Sequence, residues 1–147
     1  MEVYTIGFSK KTAPEFFGLL RQVGIKRLID VRLNNQSQLA GFTRRSNLPF
    51  FLKELCDADY VHVPLLAPTK EILDAYRKDK GSWQEYTDSY LQLLADRKAE
   101  ERFDYDLISV PAVFLCSEPS AERCHRRLAV EYLLQHRSDM KMRIVHL

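Results

Sequence analysis

Strand-length apolar runs alternate with helix-length amphipathic segments along the whole chain. This alternation limits the fold more than any other feature. Residues 3–6, 27–31, 60–63, 112–116 and 143–146 are short, rich in Val and Ile, and bounded by turn or polar residues, as buried strands are. Between them, residues 14–23 place Phe16, Phe17, Leu19, Leu20 and Val23 on one face, with Thr12 or Ala13 as cap, Pro14 in the first turn and Gly24 as stop. Residues 48–55 and 69–76 read as two shorter helices. Residues 83–99 read as a long one, with Ser82 and Glu85 forming a capping box. Residues 121–136 read as the last, with Leu128, Ala129, Tyr132 and Leu133 facing inward.

Such alternation predicts an α/β fold, with a mainly parallel sheet of about five strands and helices on both faces. No repeat, low-complexity tract or Pro/Gly/Ser-rich linker interrupts it, so residues 1–147 are expected to form a single domain. A chain of 147 residues buries roughly two-thirds of its unfolded surface and needs no staples. Three cysteines, an odd number, point to free thiols in a reducing, cytoplasmic setting. The start, MEVYTIGFSKK, lacks the pattern of a secretion signal, and no apolar run approaches a membrane span. A net charge of +2 does not by itself call for nucleic acid.

In a parallel sheet, ligands bind beyond the carboxyl ends of the strands. Those ends carry Gly7 and Ser9, Asp30 and Arg32, His62, Cys116 and Glu118, and His146. Asp30 and Arg32 share a strand face, so they either pair with each other or bind one ligand jointly. The stretch FLCSEPSAERCHRRLAVEYLL is the densest in chemistry, and three readings of it stay open. In the first, Cys116 is a nucleophilic or redox thiolate whose ionisation is favoured by a helix N-terminus and by arginines, with Glu118 as acid or base. In the second, Cys116, Cys124 and His125, with His62 or His146, hold a metal. No metal set is assigned, because adjacent Cys124 and His125 side chains diverge on a helix and no Cys-x2-Cys pair exists. In the third, the cysteines only pack. The spacing from Cys116 to Arg123 is one residue longer than the phosphatase loop and the stretch has no glycine, which argues against a phosphatase. Cys56 reads as a packing residue. Phe42, Arg44 and Arg45 offer a patch of the kind that stacks bases and holds phosphates.

Taken together, TIGFS, IDVR followed by Ser37 and Phe42, YVHVPLL and LCSEPSAERCHR resemble the domain of unknown function 488 family over nearly the whole length. The C-x-E-x5-C-H-R element is the most specific part. The resemblance implies an α/β fold and a set of site positions, here Gly7, Ser9, Asp30, Arg32, Ser37, Cys116, Glu118, Cys124, His125 and Arg126, without naming a reaction. Three positions depart from the family pattern. Phe8 stands where a histidine is usual, Asn35 where a proline is usual, and Leu66, Ala67 and Pro68 where Leu-Gly-Gly is usual. The expected roles are catalytic for Cys116, Glu118 and Asp30, and binding for Gly7, Ser9, Arg32, Ser37, Cys124, His125 and Arg126. No cofactor is expected. The function expected is an enzyme acting on an anionic small molecule or nucleic acid at a cysteine/arginine pocket. The alternative is a non-catalytic module binding an anion or nucleic acid.

Overall fold

A computed structural model describes residues 1–36, 41–118 and 120–147. The five strands lie where the apolar runs place them: β1 (Glu2–Gly7), β2 (Arg27–Asp30), β3 (Asp59–His62), β4 (Ala112–Cys116) and β5 (Arg143–His146). They form one sheet in the order β3-β2-β4-β1-β5, and every neighbouring pair is parallel.

Among the described residues six α-helices connect them: α1 (Ala13–Gln22), α2 (Leu48–Cys56), α3 (Lys70–Arg77), α4 (Trp83–Asp96), α5 (Ala99–Arg102) and α6 (His125–Gln135). Thr12 caps α1 in a reciprocal capping box with Glu15, and Gly24 follows the helix at φ 70. Ser82 Oγ accepts from the Glu85 amide, but the Ser82 amide does not donate back to the Glu85 carboxylate, so only half of that box forms.

Two helices differ from their sequence patterns. The single helix expected over residues 83–99 breaks at Lys98, which adopts φ 53 and caps the short α5 instead. The helix expected from residue 121 begins at His125, because Cys124 takes an extended conformation and becomes the N-cap.

Alternation along the strands divides the core in two. Tyr4, Ile6, Leu28, Val113 and Leu115 pack against Phe16, Phe17 and Leu20 of α1 and Leu48 and Leu52 of α2. Val3, Ile29, Ala112 and Phe114 pack on the other face against Tyr90 and Leu94 of α4 and Leu128, Ala129 and Leu133 of α6. The helix that follows β1 and the helix that follows β4 therefore cover opposite faces of two adjacent strands. That reversal opens a crevice beyond the carboxyl ends of β1 and β4. None of the described helices is long and apolar enough to cross a membrane.

Candidate functional site

Cys116 ends β4 opposite Gly7 of β1, and the two chains stay zipped past the sheet through Phe8 N–H to the Cys116 carbonyl (3.3 Å) and Ser9 N–H to the Ser117 carbonyl (3.0 Å). Cys124 returns to the same point from the start of α6. Its sulfur is joined to that of Cys116, S–S 2.08 Å. This corrects the expectation of free thiols throughout: Cys56 alone is free among the described cysteines. Sequence spacing could not show the pairing, because a turn between strand and helix brings the two residues together. Cys56 packs against α1, and burial pushes its thiol up.

The divergence expected of Cys124 and His125 does not occur. Cys124, at φ −137 and ψ 138, is outside the helical geometry that would splay them. Donor atoms of Cys116, Cys124 and His125 all lie within 4.8 Å of one another. His125 meets the Val31 carbonyl through Nε2 at 2.8 Å. A carbonyl only accepts, so Nε2 carries the proton and Nδ1 keeps the free lone pair. Burial pulls His125 down to about 4, with the Val31 bond opposing it. The folded protein thus holds His125 neutral where an unfolded histidine, near 6.5, takes up its proton. Across that window the unfolded chain binds more protons, so stability is present above pH 6.5 and lost as pH falls toward 4, by roughly 3 kcal/mol in all. Melting temperatures between these pH values are expected to fall more steeply for the parent than for His125→Gln. Equal slopes would remove this assignment.

Arg126 is the largest fully buried side chain of the described protein. Its Nε donates to Thr5 Oγ1 (3.2 Å), and its Nη1 donates to the Glu118 backbone carbonyl and approaches Cys116 Sγ at 3.4 Å. Nη2 has no partner. The oxygens it donates to are neutral; the Glu118 carboxylate pairs with Arg77 (3.2 Å) and acts on Arg126 only through its charge. Burial lowers Arg126 to about 10, which still leaves it charged at neutral pH. Since Thr5 Oγ1 accepts from Arg126, its hydroxyl hydrogen is available to His146 Nδ1 at 2.6 Å, which continues the network into β5.

Asp30 and Arg32 form a second buried unit on the neighbouring strand. Asp30 accepts from Arg32 Nε and Nη2, both at 2.9 Å, from the Arg32 amide (3.0 Å) and from the Tyr60 hydroxyl (2.6 Å). Arg32 Nη2 also donates to the Thr43 carbonyl (2.6 Å), and the guanidinium lies 5.4 Å from the Phe8 ring centroid. The joint binding of a ligand by this pair therefore gives way to the mutual ion pair, with Arg32 exposing one face at the crevice. Tyr60 is pushed upward by burial and by the Asp30 bond.

A cavity of 310 Å³ occupies the crevice. Its polar lining comes from Ser9, Arg32, Asn34, Arg77, Ser117, Glu118 and His125, and Phe8 and Pro68 are among its apolar walls. A 20 Å³ cavity beside it shares Arg77, Ser117, Glu118 and His125 and reaches Cys124. Of the expected site residues, Ser9, Arg32, Glu118 and His125 line the crevice, Cys124 lines the smaller cavity beside it, and Gly7, Cys116 and Arg126 lie buried behind, with Asp30 paired to Arg32. Ser37 lies outside the described residues. Of the family departures, Phe8 and Pro68 line the cavity, and Asn35 donates to the Tyr60 hydroxyl at 3.4 Å.

The sequence profile described as Domain of unknown function DUF488 matches residues 12–133, most of the chain. The chain belongs to this family. No match is found among curated proteins, and none among solved structures. In this DUF488 chain, sequence reasoning missed Thr5, Tyr60 and Arg77. Thr5 had a signal, as the one aliphatic hydroxyl inside the apolar run of residues 3–6. Tyr60 and Arg77 had none, because each meets its partner across the fold. Elsewhere, Phe42 packs its ring against Phe16 and Phe17 at 5.5 and 5.8 Å, so it serves the core.

Proposed function

We propose that the protein is a cytoplasmic enzyme acting on a small anionic substrate, with Cys116 as its thiolate in the reduced state. Arg126 carries this reading. A guanidinium removed from water with no carboxylate bonded to it favours a nearby anion, and Cys116 Sγ is the ionisable atom beside it. A neighbouring arginine lowers a thiol's pKa and makes it the nucleophile. His125, held neutral by burial, presents its unprotonated Nδ1 as a hydrogen-bond acceptor rather than as a base. The Glu118 carboxylate, at the cavity wall, is the acid or base. Arg77 is half exposed and held only by a surface ion pair, so it can turn to the substrate's charge. A cavity of 310 Å³ suits a small molecule rather than an extended nucleic-acid strand.

The test is the thiolate's ultraviolet absorbance against pH in reduced protein carrying Cys56→Ser and Cys124→Ser, which needs no access to the buried sulfur. The Cys116 midpoint is expected below the ordinary value of about 8.5, and Arg126→Met is expected to raise it by about one unit or more. A parent midpoint at or above the ordinary value would sink the nucleophile. For the substrate class, inorganic phosphate is expected to raise the melting temperature of the reduced protein, and Arg77→Gln to reduce that rise.

A further inference from the structure

Cys124 has no part in the chemistry proposed so far, yet of the two joined cysteines it is the one that lines a cavity. That cavity measures 20 Å³ and is walled by Tyr76, Trp83, Tyr86 and Glu118. A space must exceed roughly 10–15 Å³ to hold one water, so a small reactant has room here. Cys124 is also the N-cap of the eleven-residue α6, where the helix dipole favours a thiolate. Its partner Cys116 lies behind it, against Arg126.

We infer that Cys124 and Cys116 form a two-electron redox couple which a small hydroperoxide oxidises through this cavity, switching off the Cys116 nucleophile. The inference rests on the reading of Cys116 as a thiolate. In the first step the Cys124 thiolate attacks one peroxide oxygen. The S–O bond forms, the O–O bond breaks, and hydroxide leaves, giving a Cys124 sulfenic acid. In the second, the Cys116 thiolate attacks the Cys124 sulfur. The S–S bond forms and the S–O bond breaks, releasing a second hydroxide. Both sulfurs are oxidised, and the peroxide takes up the electron pair. The joined sulfurs of the structure are the product of this sequence. The same donors also have the composition of a Cys2His metal site. The Arg126 guanidinium 3.4 Å from Cys116 Sγ repels a second cation there and favours thiolate chemistry instead.

The experiment treats the reduced chain with hydrogen peroxide, then alkylates it in denaturant and reads each cysteine by mass spectrometry. Cys116 and Cys124 are expected to leave the alkylatable pool together, with the loss of two hydrogens in mass, while Cys56 stays reactive. In Cys116→Ser, Cys124 is expected to accumulate as a sulfenic acid, trapped by dimedone added with the denaturant. Cys124 remaining alkylatable after peroxide would overturn the inference. So would oxidation that begins only after a chelator is added, since a bound cation would then be protecting the thiols. A lowered Cys116 midpoint without peroxide oxidation would remove this inference and leave the thiolate. An ordinary midpoint would remove both.

Discussion

Gly7→Ala is expected to destabilise the protein by about 3 kcal/mol or more, read as a lower midpoint in urea unfolding. A Cβ added at Gly7 would stand 1.5 Å from the Glu118 carbonyl oxygen and 2.6 Å from Arg126 Nη1. The first obstacle is backbone and cannot rotate away. It belongs to the segment that leaves β4, which is held beside β1 by the bonds from Phe8 and Ser9. Something must move, and the Glu118 carbonyl is also what holds Arg126 Nη1 beside Cys116. The substitution should therefore raise the Cys116 ionisation midpoint along with its cost in stability. Gly18→Ala is the control. A Cβ there meets nothing within 4 Å, on an exposed face of α1, so it is expected to be neutral or to stabilise by up to about 1 kcal/mol. A loss below about 1 kcal/mol for Gly7→Ala would mean that the Glu118 carbonyl withdraws freely.

Asp30→Asn is expected to cost about 4 kcal/mol, the usual scale for removing one partner of a buried ion pair. The shape survives and the charge does not. Arg32, only 4% exposed, would be left as a buried cation without a counter-ion. The amide also brings a donor to a place where Asp30 now accepts at both oxygens, from Arg32 Nη2 and Tyr60 on one and from Arg32 Nε and its amide on the other. Tyr60→Phe removes a single bond and should cost only about 1 kcal/mol. Adding Arg32→Met to Asp30→Asn should recover much of the loss, because the unpaired charge goes with it. If the double variant is no more stable than Asp30→Asn, the pair is not the source of the cost. Unchanged Cys116 ionisation in these variants would separate this structural pair from the thiol chemistry.

The strands were legible because a parallel sheet covered on both faces demands continuous apolar runs. Residues 112–116 and 143–146 match β4 and β5 as observed. The helix ends were less so. The break at Lys98 depends on one residue accepting φ 53, and the late start of α6 on Cys124 being extended. Neither is a property of local periodicity.

The sequence by itself determined the fold class, the five strands, and the fact that polar chemistry would collect at their carboxyl ends, because alternating periodicities leave few ways to bury the apolar faces. It also marked Cys116, Glu118, Cys124, His125 and Arg126 as one constellation. Only the tertiary structure decided how these groups are partnered. It joined Cys116 to Cys124, gave Asp30 to Arg32 and Glu118 to Arg77, and left Arg126 buried with neutral oxygens and one sulfur. Which charge meets which depends on strand order and on the directions of side chains distant in sequence. Buried electrostatics is set by those few ångströms, which no spacing along the chain encodes.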